Sequence, residues 1–213
     1  MKHIYCISGF GADERVFSKL DFGDHPIHFI SWLTPLKKES IEQYAKRMGE
    51  KIQHDNPILL GLSFGGIMCI EIAKIIKTHK VILISSIKSF REMPLWMRFA
   101  GKSKLDKFFP LKSFRIIEPI ENYNLGIENG DELKLVREYR RNVGRQYTNW
   151  AIHQILHWKN EWLPGDLIHI HGDKDHIFPI KNIKADFIIT GGGHFMIMNR
   201  TEKVNGIIKE LLA

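Results

Sequence analysis

The fold of this chain is decided by residues 57–66, which read PILLGLSFGG. A short apolar run precedes a Gly-x-Ser-x-Gly motif and an apolar-periodic stretch follows it, so the pattern predicts a strand, a very tight turn and a helix. Ser63 is at the apex of the turn, where its strained backbone requires small neighbours two positions away on either side, and these are Gly61 and Gly65. A serine presented beside a helix N-terminus in this way is typical of an activated nucleophile.

Apolar runs of strand length recur on both sides of this motif. They are continuous rather than alternating, which favours a parallel sheet buried on both faces. Helical patterns separate them, including a capping box at residues 40–43 and a last helix that Thr201 is expected to cap. We therefore predict an α/β fold with a doubly wound, mainly parallel six-stranded sheet and helices on both faces. The predicted strands are Ile4–Ser8, Ile27–Trp32, Ile58–Leu60, Val81–Ser85, Leu167–His171 and Phe187–Thr190.

Residues 88–160 interrupt this alternation of strands and helices. They contain a helical stretch at roughly 131–159 and no strand-like run, so we expect a helical cap within a single domain spanning 1–213. The cap would cover the carboxyl edge of the sheet, where open α/β sheets bind ligands. Its aromatic residues could form an acyl pocket or the cap's own small core, and we favour the core: Trp96, Phe99, Phe108, Phe109 and Phe114.

Most of the net charge of +7 also lies in residues 88–160. A solvated basic surface explains such an excess, and so does a cap that attracts anionic substrates. The arginines that could steer an anion are Arg91, Arg98, Arg140, Arg141 and Arg145. No nucleic-acid-binding module accompanies this charge, so we predict no nucleic-acid partner.

Composition places the chain among ordinary globular proteins, with 44% hydrophobic and 26% charged residues. Cys6 and Cys69 lie in apolar runs, so we expect buried, reduced thiols rather than a disulfide. The first residues lack the apolar stretch of a secretory signal, and no run reaches membrane-spanning length. These features predict a cytoplasmic protein without a membrane partner.

A base and an acid for Ser63 are expected in the loops after the last two strands. His194 follows the last strand in the turn Gly-Gly-Gly-His, and it is the candidate base. The acid is Asp173 or Asp175, and spacing alone does not choose between them. His153 and His157 have a metal-binding spacing on one helix face, but no third ligand accompanies them, so packing is favoured and no metal is predicted.

An oxyanion hole needs two backbone N–H groups beside the nucleophile. The first should belong to Phe64, directly after Ser63. The second should come from the loop after the first strand, where Gly9 allows the backbone of Phe10 to turn inward.

These motifs together resemble the α/β-hydrolase superfamily over essentially the whole chain. Ser63, an aspartate and His194 follow the family order of nucleophile, acid and base. The family pattern Gly-x-x-Asp-x-x-x-Pro fits Gly172, Asp175 and Pro179, so the resemblance favours Asp175 over Asp173. Two departures are visible: Ser8-Gly9 stands where the family usually has His-Gly, and two N-terminal antiparallel strands are missing.

The resemblance implies a serine hydrolase that cleaves a small ester or thioester, anionic substrates included, through an acyl-enzyme on Ser63. A non-hydrolytic enzyme of the same fold, either a lyase or an acyltransferase, is the first alternative. A ligand-binding protein with slow turnover is the second. A small-molecule substrate is the expected partner, no cofactor is implied, and the oligomeric state is not predicted.

Overall fold

A computed structural model describes residues 1–102 and 117–213 of the chain. Its sheet has six parallel strands in the order β2-β1-β3-β4-β5-β6, which confirms the predicted doubly wound α/β architecture. Every predicted strand is present, with ends that differ by one to three residues. The strands are β1 Ile4–Ile7, β2 Ile27–Phe29, β3 Ile58–Leu62, β4 Lys80–Ile84, β5 Leu167–Gly172 and β6 Phe187–Ile189.

Both faces of the sheet are buried in hydrophobic cores. Successive side chains of a strand point to opposite faces, so Ile4 and Cys6 enter one core while Tyr5 and Ile7 enter the other. Because neither face meets water, the central strands need no polar alternation, and this is why their sequences are continuous apolar runs.

Eight α-helices accompany the strands in the described ranges. The predicted capping box of the first is confirmed, with Ser40 and Gln43 satisfying each other's backbone N–H groups. Thr201 as a cap was wrong: it is the first residue of its helix, and its hydroxyl donates back to the carbonyls of Ile197 and Met198. The helices are α1 Ile41–Gly49, α2 Phe64–Ala73, α3 Leu95–Lys102, α4 Glu118–Leu125, α5 Gly130–Asn142, α6 Arg145–His157, α7 Met196–Asn199 and α8 Thr201–Leu212.

The single helical stretch expected near 131–159 is instead two helices, α5 and α6. Val143 and Gly144 adopt extended backbone conformations between them, which breaks the helix. α6 then packs on the main core, where Tyr147 and Ala151 are buried. Within the described parts of 88–160 there are helices and turns but no strand.

The expected aromatic core of the cap is not formed by the two described members of that set. Trp96 and Phe99 are 61% and 66% exposed. Phe108, Phe109 and Phe114 lie outside the described residues.

Cys6 and Cys69 are buried free thiols, as predicted. Burial raises the pKa of both, which keeps them protonated and unreactive. In the described ranges, no helix has the length and apolar character needed to cross a bilayer.

Candidate active site

Ser63 joins β3 to α2 in a backbone conformation that L-residues rarely adopt, with φ 52° and ψ −118°. The surrounding structure holds it there through both of its backbone polar groups. Its N–H donates to the carbonyl of Ile84 at 2.9 Å, and its carbonyl accepts from the Ser86 hydroxyl at 2.7 Å. Local strain of this kind persists because neighbouring interactions over-determine it.

The two elbow glycines are required by close backbone packing. A Cβ atom at Gly61 would lie 2.5 Å from the Gly65 carbonyl carbon and from the Gly66 Cα. A Cβ atom at Gly65 would overlap the carbonyl oxygens of Ile7 and Ser8 on β1 and the loop after it. The turn therefore brings α2 directly against the ends of β3 and β1.

His194 joins Ser63 to Asp175 through two hydrogen bonds. Its Nε2 lies 2.8 Å from Ser63 Oγ, and its Nδ1 lies 2.8 Å from Asp175 Oδ2. An ionised carboxylate only accepts, so Nδ1 carries the proton and the Nε2 lone pair faces the serine hydroxyl. Asp175 Oδ1 accepts from the N–H groups of Ile177 and Phe178, each at 2.8 Å, which fixes the carboxylate plane.

The Asp175 side chain is fully buried beside two imidazoles. Burial by itself raises the pKa of this carboxyl, but His194, then His171 and the hydrogen bonds outweigh it, and the pKa lies below its usual value. His171, on β5, places Nε2 2.8 Å from the Phe178 carbonyl and 3.5 Å from Asp175 Oδ2. Burial lowers the pKa of His171, so a neutral ring packs against the ionised carboxylate.

The two aspartates that spacing could not separate have different partners. Asp173 accepts from the Gly191 N–H at 2.7 Å and stabilises the glycine turn, whereas Asp175 contacts His194. The turn also packs on the loop after β5: a Cβ atom at Gly172 would overlap the carbonyl oxygen of Gly192. The loops that carry the acid and the base are thus held together through their backbones.

The carboxyl end of α4 also anchors the histidine loop, a role that sequence reasoning missed. The Phe195 N–H donates to the Leu125 carbonyl at 2.8 Å, and Asn199 donates to the carbonyl of Gly126 at 2.9 Å. Gly126, the left-handed cap of α4, would place a Cβ atom 3.2 Å from the Cα of Gly193. No local sequence signal links residues so far apart in the chain.

The loop proposed for the oxyanion hole, residues 8–12, is held in place beside Ser63. The Ser8 hydroxyl donates to the Ala12 carbonyl at 2.7 Å. The Trp32 indole N–H lies 3.1 Å from Ser8 Oγ and 3.0 Å from the Gly9 carbonyl, another contact that sequence reasoning missed. Gly9 lies next to the nucleophile, since a Cβ atom there would be in ordinary van der Waals contact with Ser63 Cβ at 3.5 Å.

The N–H groups of Phe10 and Phe64 donate no hydrogen bond within residues 1–102 and 117–213. Phe64 is the first residue of α2, so its N–H is one of the helix donors that have no partner inside the helix. Both N–H groups are therefore unpaired within the described ranges, as donors to a ligand would have to be.

A cavity of about 530 Å³ lies between the loop after β1, the segment after β2 and the region where α5 meets α6. Its lining includes Ser8, Gly11 and Trp32 from the core and Tyr147 and Arg145 from α6, but not Ser63 or His194.

The basic residues expected to steer an anion have different environments. Arg91 pairs with Glu161 at 3.1 Å, and Arg140 contacts Glu121 at 3.2 Å. Arg98 and Arg141 donate to main-chain carbonyls. The exposed Arg145 lines the cavity described above.

Solved structures with this arrangement of elements are numerous, and the likeness extends over the whole chain. An esterase from Thermogutta terrifontis matches with TM-score 0.70 and 16% identity, covering 100% of this chain and 89% of the other. A putative lipase from Acinetobacter baumannii matches with TM-score 0.75 and 13% identity, covering 99% and 83%. An epoxide hydrolase from Bacillus megaterium matches with TM-score 0.68 and 13% identity, covering 100% and 93%. The chain has the α/β-hydrolase fold.

Sequence comparison adds nothing to this structural likeness. No protein-family model matches the chain, and no curated protein matches its sequence. Because identities of 11–16% establish the fold alone, the chemistry has to be argued from the site.

Proposed function

We propose that the protein is a serine hydrolase that cleaves small esters or thioesters. The observation that carries the proposal is the continuous hydrogen-bonded series from Ser63 Oγ through His194 to Asp175, with 2.8 Å at each step. A serine hydroxyl needs such a base to become nucleophilic, and the base needs an acceptor that fixes its tautomer.

In the proposed first step, Ser63 Oγ attacks the acyl carbon while His194 Nε2 takes the hydroxyl proton. The new C–O bond forms as the carbonyl π pair moves to oxygen, and the N–H groups of Phe10 and Phe64 stabilise that oxyanion. His194 then donates the proton to the departing alkoxide or thiolate, which leaves an acyl group on Ser63. Asp175 stays ionised and stabilises the imidazolium.

In the second half of the reaction, deacylation, water replaces Ser63 as the nucleophile and attacks the acyl carbon of the acyl-enzyme. His194 accepts a proton from the water, the tetrahedral intermediate collapses, and the proton returns to Ser63 Oγ as the carboxylic acid leaves. These residues hold and move every proton in the cycle.

Fluorophosphonate labelling tests for the activated serine, and a panel of p-nitrophenyl esters and acyl thioesters tests for hydrolysis. Wild-type protein should be labelled on Ser63 and should release acid. Ser63→Ala should lose label and reduce turnover by on the order of 10⁴- to 10⁶-fold. Ser85→Ala is the matched control, because that serine is buried at the end of β4 and its hydroxyl has no hydrogen-bond partner among the described residues.

Undiminished turnover in Ser63→Ala would rule out the mechanism. Labelling of Ser63 without acid release from any ester or thioester would instead favour a non-hydrolytic enzyme or a slow ligand-binding protein.

The proposal extends to anionic substrates, which Arg145 would steer towards the loop after β1, because this exposed residue lines a cavity that Ser8 and Gly11 of that loop also line. A cationic group at a cleft raises the local concentration of anions, and salt screens the effect. Hemisuccinate esters should react faster than neutral esters at low salt and lose that advantage at high salt. Arg145→Gln should remove the salt dependence, while Arg91→Gln, at the Glu161 ion pair, should keep it.

A further inference from the structure

Three histidines from separate parts of the sequence meet near the amino ends of β1 and β3, whereas Ser63 follows the carboxyl end of β3. His3 directly precedes β1, His28 lies in β2, and His54 lies in the segment before β3. Each can offer one ring nitrogen such that the three nitrogens lie within 4.8 Å of one another, and all three side chains are half-buried. Among the described residues, no other group of three or more His, Cys, Asp or Glu side chains comes together in this way.

The contacts within this histidine cluster are close. His3 Nδ1 lies 2.9 Å from His28 Nε2, so in the free protein one of the two nitrogens donates a hydrogen bond to the other. The rings of His3 and His54 are stacked, with centroids 3.4 Å apart. The cluster therefore places three imidazoles against one another without a carboxylate among them.

We propose that the cluster of His3, His28 and His54 binds one divalent transition-metal ion of the zinc type. Neutral imidazole is a preferred ligand of Zn²⁺, Ni²⁺ and Cu²⁺, and three histidines with one open position form a recurrent zinc site. Tetrahedral Zn–N bonds of about 2.0–2.1 Å hold ligand nitrogens roughly 3.4 Å apart. The His3–His28 nitrogens are already at that scale, and a His54 nitrogen within 4.8 Å of them would have to move by roughly 1 Å to complete the set.

Tyr5 supplies the outer contact that such a site requires. Its hydroxyl lies 2.7 Å from His54 Nδ1 and accepts from the Gln53 N–H at 3.0 Å. When His54 Nδ1–H donates to the tyrosine oxygen, the lone pair is on Nε2 and available to the metal. Ligating histidines are generally oriented by a hydrogen bond from the second ring nitrogen in this way.

A metal at this position would join three pieces of chain that are otherwise held by strand pairing. It would connect the three-residue edge strand β2 to β1 and to the segment before β3. Binding only to the folded state stabilises that state, so the ion would raise the melting temperature, by an amount that grows with the logarithm of its free concentration above Kd. The site is remote from Ser63 and does not depend on the proposed hydrolase activity.

Titration of the untagged protein with Zn²⁺ and Co²⁺ tests this inference. We expect one Zn²⁺ per chain, visible Co²⁺ absorption bands typical of four-coordinate geometry, and a higher melting temperature with Zn²⁺. His54→Gln and His28→Gln should weaken binding by more than the roughly 10- to 100-fold that loss of an outer contact causes. Tyr5→Phe should weaken it by about that smaller amount.

Two controls locate the binding. His79→Gln removes an exposed histidine outside the cluster, and the double change His153→Gln, His157→Gln removes the histidine pair on α6. Both should bind Zn²⁺ as the wild type does, and so should Ser63→Ala. Circular dichroism without metal verifies that each variant is folded.

The inference is overturned if the wild type binds no Zn²⁺, if His54→Gln and His28→Gln bind it undiminished, or if the α6 double variant abolishes binding. The first or second result would leave the cluster as aromatic packing alone.

Discussion

A Cβ atom added to Gly172 would overlap the carbonyl oxygen of Gly192, because the two backbones are in direct contact. One glycine ends β5, whose following loop carries Asp175, and the other lies in the turn that carries His194. The 2.8 Å hydrogen bond between acid and base therefore depends on two residues that have no side chain.

Gly172→Ala should push the two loops apart and reduce turnover on the order of 100-fold, as expected for a displacement of about 1 Å between catalytic groups. The overpacking should also cost about 1–3 kcal/mol of stability. Kinetics on a model ester and urea unfolding measure the two effects. Gly206, in α8, has open space around it, so Gly206→Ala should instead stabilise the protein by about 0.5–1 kcal/mol. Equal effects of the two substitutions on stability would contradict the packing argument.

Asp175→Asn should lower kcat on the order of 10³- to 10⁴-fold, because an amide does not hold His194 in the tautomer that accepts the serine proton. The rate of fluorophosphonate labelling should fall in parallel. Asp173→Asn is the matched control, since its side-chain oxygen can still accept from the Gly191 N–H. If only Asp173→Asn lost activity, the assignment of Asp175 as the acid of the triad would be wrong.

Trp32→Phe keeps the ring that stacks on Phe64 but removes the indole donor that holds residues 8–12. We expect a fall in kcat of about tenfold or more with KM little changed, because the oxyanion donors act mainly in the transition state. Trp150→Phe loses an equivalent indole hydrogen bond, to the Glu39 carbonyl, in the same aromatic group. Both changes should cost about 1 kcal/mol of stability, yet only Trp32→Phe should reduce kcat.

Stability should fall as the pH drops below about 6.5, because burial lowers the pKa of both His169 and His171 in the folded protein. Below that pH the unfolded chain binds two protons that the folded chain excludes, so the stabilisation is present above 6.5 and is lost in acid. The free energy of unfolding should change by roughly 2.7 kcal/mol per pH unit where both histidines are protonated in the unfolded chain and neutral in the folded one. Urea midpoints between pH 7.5 and 5 measure it.

His169→Leu should reduce that slope by about half, whatever its effect on the midpoint itself. The exposed His79, changed to Gln, is the control and should give the wild-type slope. A wild-type midpoint that does not depend on pH in this range would contradict the prediction.

The sheet was predictable from the sequence because each central strand is buried on both faces, and its sequence is therefore a continuous apolar run. The serine turn was predictable for the same reason: Gly61 and Gly65 are constrained by atoms within the same short segment and its neighbouring strand. The break between α5 and α6 was missed because an isolated glycine is tolerated inside a helical pattern, so Gly144 was not taken as a stop. The start of α6 is fixed by its contacts with the core.

Long-range contacts explain what the sequence left open. Spacing could not separate Asp173 from Asp175, since the choice depends on which carboxylate faces His194 after folding. Nothing near residues 3, 28 or 54 indicates that their imidazoles meet, because strand pairing β1–β2 and β1–β3 brings them together. The stacking of His54 on His3 is likewise a product of this pairing.

Ser63→Gly should be more stable than Ser63→Ala by about 1 kcal/mol, because glycine adopts φ 52° without steric cost whereas alanine keeps the strain. Both variants should be inactive towards esters. Paired urea unfolding curves measure the difference, and an alanine variant that is as stable as the glycine variant would show that the elbow is unstrained.

The conformation of Ser63 has a consequence for how this sequence can change. A serine at that position makes the folded state less stable than the same backbone with glycine would be, so folding and chemistry place opposite demands on one residue. Selection of random variants for heat resistance alone should therefore enrich glycine at position 63 and produce robust but inert proteins. Retention of serine there requires selection on turnover.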